Sequence, residues 1–357
     1  MVFTVVTRLH NMAGVQDLSV TKRPHLMKKI GAHNGMFHCD EALACFMLKQ
    51  LPEYKEAEVI RTREPALLNT CDVVVDVGGI YDHARKRYDH HQREFCETMN
   101  SLNADYPWTT KLSSAGLVYF HYGHQVLAEI MGTTPSDTLT RLIFMKVYEF
   151  FVEAIDAVDN GISQTEEKPK YAVTTSLSAR VGNLNPRWNQ TVTQDDVQDR
   201  FHKAMSLTGS EFVDKVKYYS EAWWPARKIV EDAIAKRFEV DPSGEVMLLP
   251  RSCPWKDHLF SVEDEQEIQP TIKFVLFTDQ SGKWRVQCVP VELFSFDNRL
   301  SLLETWRGVR DEELSKMSGI PGCIFVHAGG FIGGCHSYDG VLEMARRTLQ
   351  ARATTAN

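Results

Sequence analysis

Asp72-Val73-Val74-Val75-Asp76-Val77-Gly78-Gly79 is a compact β-branched run that ends on a carboxylate and halts at two glycines. Apolar on both faces, it reads as a buried parallel strand, since β-branched side chains suit a pleated surface covered on each side. Upstream, a short apolar and basic stretch from Leu26 to Gly31 leads into His33, and from Asp40 the apolar positions Leu43, Phe46, Met47 and Leu51 recur at helical spacing. Ala57 to Arg61 suggests a further strand. Downstream, helical patterns cover Ser113 to Met131 and Ser136 to Ala157, the second closing at Asp159-Asn160-Gly161, a helix-stop signal. Strands alternating with helices predict an α/β fold: a parallel sheet with helices on both faces.

The chain has 357 residues, more than one core usually supports, since single cores stop growing near about 250 to 300 residues. Two units are therefore expected, over 28–165 and 196–357, joined by a polar, turn-rich connection at 166–195 that holds Asn183, Asn185 and Pro186. The second unit reads as smaller and α+β. Helical segments at Val197 to Met205 and Glu211 to Phe238, the latter kinked or interrupted by Pro225, precede strands at Glu245 to Leu249, Thr271 to Phe277 and Trp284 to Val289. Asp279 to Gly282 is a hairpin turn. A strand Cys323 to Val326 enters the glycine-rich His327-Ala-Gly-Gly-Phe-Ile-Gly-Gly334, and a helix follows from Tyr338 to Leu349.

A net charge of −7 means that any phosphate or nucleic-acid binding must come from a local basic patch or a bound cation. No apolar run reaches the ~20 residues of a membrane-spanning helix, so no membrane partner is expected. The eight cysteines are scattered without a C-x-x-C pair and read as free thiols of a reducing compartment. Residues 1–27 are basic without a secretory apolar core, a candidate targeting or disordered segment. The expectation is an intracellular protein of the mitochondrion, nucleus or cytoplasm.

The candidate chemistry lies between residues 33 and 91, where the residues in question follow the ends of expected strands, the place at which ligands bind in open parallel sheets. In His33-Asn-Gly-Met-Phe-His38-Cys-Asp40-Glu41, imidazoles and a carboxylate in one loop suit Mn²⁺, Zn²⁺ or Co²⁺; the bland reading of Asp40 is a helix N-cap. Asp76 ends an apolar strand, where an unpaired carboxylate is costly; it is either a turn residue or an anion bridging two cations about 3.5 to 4 Å apart. Asp89-His90-His91 offers two imidazoles with different directions, one for a metal and one for substrate. His83 reads as a surface residue.

These motifs resemble the DHH phosphoesterase superfamily, which includes RecJ-like exonucleases, oligoribonucleases and family II pyrophosphatases. The first motif, His33-x4-His38-x-Asp40, is one residue longer than the usual H-x3-D-x-D and has histidine for its first aspartate. In that form, with Asp76-Val-Gly-Gly79, Tyr88 to Gln92, Asp156-Ala-Val-Asp-Asn-Gly-Ile162 and Phe331 to Gly334, the chain is similar to the Myg family of that superfamily. The resemblance implies two divalent cations, Mn²⁺ with Mg²⁺ or Co²⁺ as alternatives. His33, His38 and Asp76 would hold one, and Asp40, Asp76, His90 and either Asp156 or Asp159 the other. It further implies that His91 contacts the scissile phosphate, that Asp89 orients the histidines, and that Gly329, Gly330, Gly333, Gly334 and His336 form a phosphate-approaching segment of the second unit. That segment's bland alternative is a strand-to-helix turn that requires glycine. Arg180, Arg187 and Trp188 are candidates for phosphate contact and base stacking against the alternative of a solvated loop. The implied activity is hydrolysis of RNA or a short oligonucleotide from its 3′ end, with a homodimer as a candidate assembly. The competing readings are a phosphoesterase for small compounds, such as pyrophosphate or a dinucleotide, and a non-catalytic RNA-associated regulator.

Overall fold

A computed structural model describes residues 27–355, with side chains through Arg352. Apart from Met27, the candidate targeting segment 1–27 lies outside the described residues. The chain forms two five-stranded sheets and many helices, a mixed α/β architecture. Among the described residues no helix is long and apolar enough to cross a membrane.

The first sheet takes β1 (Lys29–Ala32), β2 (Glu58–Arg61), β3 (Val73–Val75), β4 (Tyr81–Asp82) and β5 (Arg87–Tyr88) in the order β2-β1-β3-β5-β4. The pairs β1–β2, β1–β3 and β3–β5 are parallel, and only the edge strand β4 runs antiparallel. Strands β1, β3 and β5 thus present their carboxyl ends along one edge. The residue that follows each is His33, Asp76 and Asp89 respectively, which is why three segments distant in sequence meet.

Long helices cover one face of this sheet. Cys39–Gln50 buries Leu43, Met47 and Leu48 against Ile30, Val73 and Val75 of the strands and against Leu117 and Val118 of Ser114–Met131. The opposite face differs from expectation: among the described residues it carries the one-turn helix Pro65–Leu68, with Leu68, Cys71, Val74 and Val77 in a small cluster. Gly31 suits this face, since a Cβ there would lie 3.1 to 3.2 Å from Cys71, Leu68 and Val74.

The helix Gln194–Lys217, expected in the second unit, buries Phe201, Ala204, Phe212 and Val216 in the first core. Its Gly209 lets Phe46 in: a Cβ there would sit 2.1 Å from the ring. The interruption expected near Pro225 takes the form of a change of helix type rather than a kink. A π-helical stretch, Tyr218–Trp223, ends one helix, and Pro225 falls in the first turn of Trp224–Ala235, where its missing N–H is not needed. A second π-helical stretch, Tyr148–Val152, separates Thr138–Val147 from Glu153–Asp159.

The second sheet contains β6 (Val246–Leu248), β7 (Phe274–Thr278), β8 (Trp284–Cys288), β9 (Cys323–Val326) and β10 (Ile332–Cys335) in the order β6-β7-β8-β10-β9. It is antiparallel except for β6–β7, and the helix Tyr338–Thr355 contributes Val341, Leu342, Met344 and Ala345 to its core.

Candidate metal centre

Asp76 sits at the middle of the carboxyl edge with φ +56, a left-handed backbone that aspartate tolerates better than most side chains but that still costs energy. Its Oδ2 is 3.3 Å from His33 Nε2, and its Oδ1 is 3.3 Å from His91 Nδ1 and 3.6 Å from His90 Nδ1. Burial works against its charge, but these imidazoles hold the carboxyl at about 2. His33 shows the reciprocal effect: burial opposes protonation, and its bonds to Asp76 and Glu41 carry it up to about 10. A neutral His33 that donates Nδ1–H to the Asn34 carbonyl, 3.0 Å away, turns the Nε2 lone pair toward Asp76.

Ligand-capable atoms gather in three overlapping groups: His33, His38, Glu41 and Asp76; Asp76, Asp89, His90 and His91; and His38, Asp40 and Asp159. Asp76 belongs to two of them, and so does His38. Within each group the atoms lie inside 4.8 Å of one another. Asp40 is not the N-cap; His38 is, and Asp40 lies inside the first turn, fully buried. Its Oδ2 accepts from Ser114 Oγ at 2.5 Å. Burial and the nearby carboxylates of Asp76, Asp159 and Glu41 push its carboxyl well above the ordinary range.

A buried set of this kind fits a cation on one decisive observation. Asp40 Oδ1 and His90 Nδ1 are buried without a hydrogen-bond partner, and the two buried oxygens of Asp76 meet only the imidazoles of His33, His90 and His91, at 3.3 to 3.6 Å. Unsatisfied buried acceptors are rare because each costs about 1 to 3 kcal/mol, and these converge on one another. Imidazole and carboxylate donors suit a divalent first-row metal.

The two aspartates that the sequence left open play different parts. Asp159 Oδ2 lies 2.8 Å from His90 Nε2, within the cluster. Asp156 is fully buried elsewhere: Oδ1 accepts from Ser113 N at 3.0 Å, Ser113 Oγ at 2.7 Å and Gly116 N at 2.9 Å, and Oδ2 from the Tyr148 hydroxyl at 3.1 Å. It ties the start of Ser114–Met131 to Glu153–Asp159 and stands in none of the three ligand-capable groups, whereas Asp159 stands in one. Glu41 was missed. It is fully buried, its carboxylate accepts from His38 N at 2.9 Å, and its Oε1 is 3.0 Å from His33 Nε2. Its bond to His38 N closes a capping box at the helix start, and nothing in the local sequence pattern marks the second contact to His33.

Asp89 accepts from Gly79 N at 2.5 Å through Oδ2, and from His91 N and Nδ1 at 3.0 and 2.9 Å through Oδ1. His91 is so oriented with its side chain 62% exposed, whereas His90 is buried. His83 is exposed, as expected, and stacks on His121 at 3.8 Å.

The residues expected at the substrate fare less evenly. Both terminal nitrogens of Arg180 are engaged by Glu211, so it is not a free phosphate contact. Arg187 and the almost fully exposed Trp188 lie on a loop beside the first motif, where Asn185 bonds Phe37 N at 2.9 Å and Phe37 O at 2.8 Å. The glycine segment is a β-hairpin rather than a phosphate cradle. Gly329 and Gly330 (φ +69) make its turn, and Gly333 and Gly334 lie in β10 between β8 and β9, where their amides serve the ladders. A Cβ on Gly334 would meet Arg285 Nη1 at 2.6 Å. His336 is exposed just past β10 and donates its backbone N–H to Gly322 O at 2.9 Å.

Fold and site together define a mixed α/β protein with a candidate divalent-metal centre on the carboxyl edge of a parallel sheet. A family model for MYG1 exonucleases, described as an uncharacterised protein family (UPF0160), matches residues 29–349. The chain is 56% identical to a MYG1 exonuclease of Bos taurus over 349 residues, which is 96% of this chain and 91% of that protein. It is 54% identical to one of Homo sapiens, over 96% of this chain and 93% of that protein, and 44% identical to a MYG1 protein of Saccharomyces cerevisiae, over 91% and 96% respectively. The chain belongs to this MYG1 family.

Proposed function

We propose that this chain is a divalent-metal-dependent phosphodiesterase of the DHH type, acting as a 3′–5′ exonuclease on RNA. The observation that carries it is the set of buried oxygens of Asp40 and Asp76 ringed by His33, His38, His90 and Asp159. The exonuclease name of the mammalian relatives supports the reaction class. His33, His38, Glu41 and Asp76 would hold one cation, and Asp40, Asp76, His90 and Asp159 a second. Bound there, divalent cations supply a water acidified toward neutral pH and positive charge for the phosphate oxygens. Asp76 stays ionised through neutral pH, so its charge is always present for this task. His91 makes the exposed end of the site. Its contact with Asp76, against the cost of burial and with help from Asp89, raises it to about 9 in the metal-free chain. From there it donates to a phosphate oxygen or to the departing 3′ fragment, the kind of contact that strengthens as charge develops. Trp188 and Met36, both strongly exposed beside the first motif, offer apolar surface for bases.

The test uses RNA labelled at its 5′ end, incubated with Mn²⁺ and the wild-type, Asp76→Ala or His91→Ala chain. Progressive shortening by the wild type alone is the expected result. If single nucleotides or pyrophosphate are consumed but oligonucleotides are not, the substrate is a small phosphate compound. If the wild type consumes nothing that the variants spare, the catalytic reading fails.

A further inference from the structure

Cys323 and Cys335 are directly paired residues on the adjacent antiparallel strands β9 and β10. Both are buried, and their sulfurs lie 3.6 Å apart. Theirs is the one contact between two cysteine sulfurs at hydrogen-bonding distance among the described residues. We propose that Cys323 and Cys335 are a redox-modification site that closes to a reversible intrachain disulfide across the β9–β10 ladder, in the second sheet and apart from the metal centre.

The geometry asks for little movement. Opposed residues of an antiparallel pair have Cα atoms roughly 4.5 to 5.5 Å apart, inside the roughly 4.4 to 6.8 Å that disulfides span. The sulfurs must approach from 3.6 Å to about 2.05 Å. The ladder shifts register between Gly334 and Cys335, with Ile324 the extra residue of β9 beside the pair. Cys335 Sγ also lies 3.8 Å from Met344 Sδ, so the site is a nest of sulfur over the second core.

The two thiols are chemically unequal. The Cys335 S–H points at Cys323 Sγ, and Ser318 Oγ lies 3.5 Å from the same sulfur. The Cys335 thiol, against the cost of burial, lowers Cys323, and sharing that bond pushes Cys335 up; the Cys323 sulfur itself lies 3.2 Å from the Ile320 carbonyl. With the Cys335 S–H directed at it, Cys323 Sγ is the sulfur placed to attack first and Cys335 the one placed to resolve the product. With a peroxide as oxidant, the Cys323 thiolate attacks one peroxide oxygen, the O–O bond breaks, and the hydroxide released takes up a proton to leave as water. The Cys335 sulfur then attacks the resulting sulfenic sulfur and the S–O bond breaks. The Cys335 proton joins the departing hydroxide as a second water. Two thiols lose two electrons and two protons in all, and one peroxide is reduced to two waters. Dithiol reductants reverse the product by exchange.

The experiment oxidises the reduced full-length chain with hydrogen peroxide, and separately with diamide. Acid quenching, denaturing alkylation and peptide mapping by mass spectrometry follow. The expected result is a linked peptide pair carrying Cys323 and Cys335, short of two hydrogens and lost on dithiothreitol treatment. Cys288→Ser should still form it. Cys335→Ser should abolish it and leave Cys323 trapped by dimedone as a sulfenic acid. If both cysteines of the wild type remain fully alkylated after excess diamide, or if Cys323 links to a different cysteine, the proposal is overturned. The wild-type map decides even if Cys335→Ser does not fold. It is also independent of whether the chain degrades RNA, since neither sulfur belongs to the metal centre.

Discussion

Replacing Asp156 with alanine removes a carboxylate that accepts four hydrogen bonds in a fully buried place. Ser113 N and Oγ, Gly116 N and the Tyr148 hydroxyl then lose their acceptor, and buried donors left unpaired cost about 1 to 3 kcal/mol each. Partial relaxation and entry of water reduce the sum, so a loss of roughly 3 to 5 kcal/mol is expected. Asp156→Asn should lose no more than about 1 kcal/mol, because an amide oxygen can serve the three Oδ1 donors and its NH2 can turn to the Tyr148 oxygen. Burial, opposed by the Ser113 hydrogen bonds, raises the Asp156 carboxyl to about 7. A raised folded-state value means the folded chain keeps a proton that the unfolded chain releases. This contribution is complete below the unfolded value near 3.8 and is lost as pH rises through 7. Relative to Asp156→Asn, the wild type should therefore lose up to about 4 kcal/mol across that window, at 1.36 kcal/mol per pKa unit. Urea unfolding followed by circular dichroism from pH 4 to 8, with manganese content measured alongside, checks both effects. An Asp156→Ala chain that unfolds at the wild-type midpoint but has lost its metal would refute the assignment and return Asp156 to the ligands.

Other outcomes follow from the same coordinates. In metal-free protein the stability contribution of His33 is complete below pH 6.5 and is lost as pH rises toward 10; a chelated sample should lose stability over that window. Manganese binding should release a proton and tighten with pH in the same range, read by calorimetry in buffers of different ionisation enthalpy. Gly209→Ala forces a Cβ to 2.1 Å from the Phe46 ring and should cost about 1 to 3 kcal/mol; Phe46→Leu in the same chain should restore part of it in thermal melts. Asp89→Asn should leave the fold intact, since Gly79 N keeps an acceptor. If the nuclease reading holds, its turnover should fall by about 10- to 100-fold through a mis-set His91; unchanged turnover would remove Asp89 from the site.

Much of the centre was legible because its residues stand immediately after strands. Once Asp72 to Asp76 is read as a buried parallel strand, a carboxylate at its end marks the edge where β1 and β5 must also finish. What stayed hidden depends on distances that no local pattern encodes. Choosing Asp159 over Asp156 requires the helix phase after the π-helical stretch Tyr148–Val152. The engagement of Arg180 depends on Glu211, far along the chain in a different helix. Strands β4 and β5 have two residues each, too few for an alternating pattern to show. The glycines near the end of the chain misled for a physical reason: a missing Cβ admits a phosphate and a neighbouring strand equally well, and here Arg285 and the flanking strands take the space.

Manganese-soaked crystals measured at the metal's absorption edge would test the centre most directly. Anomalous peaks are expected within coordination distance of Asp76, one beside His33 and one beside His90 and Asp159. Peaks found only at other sites, with none at the oxygens of Asp76 and Asp40, would contradict the assignment of this centre.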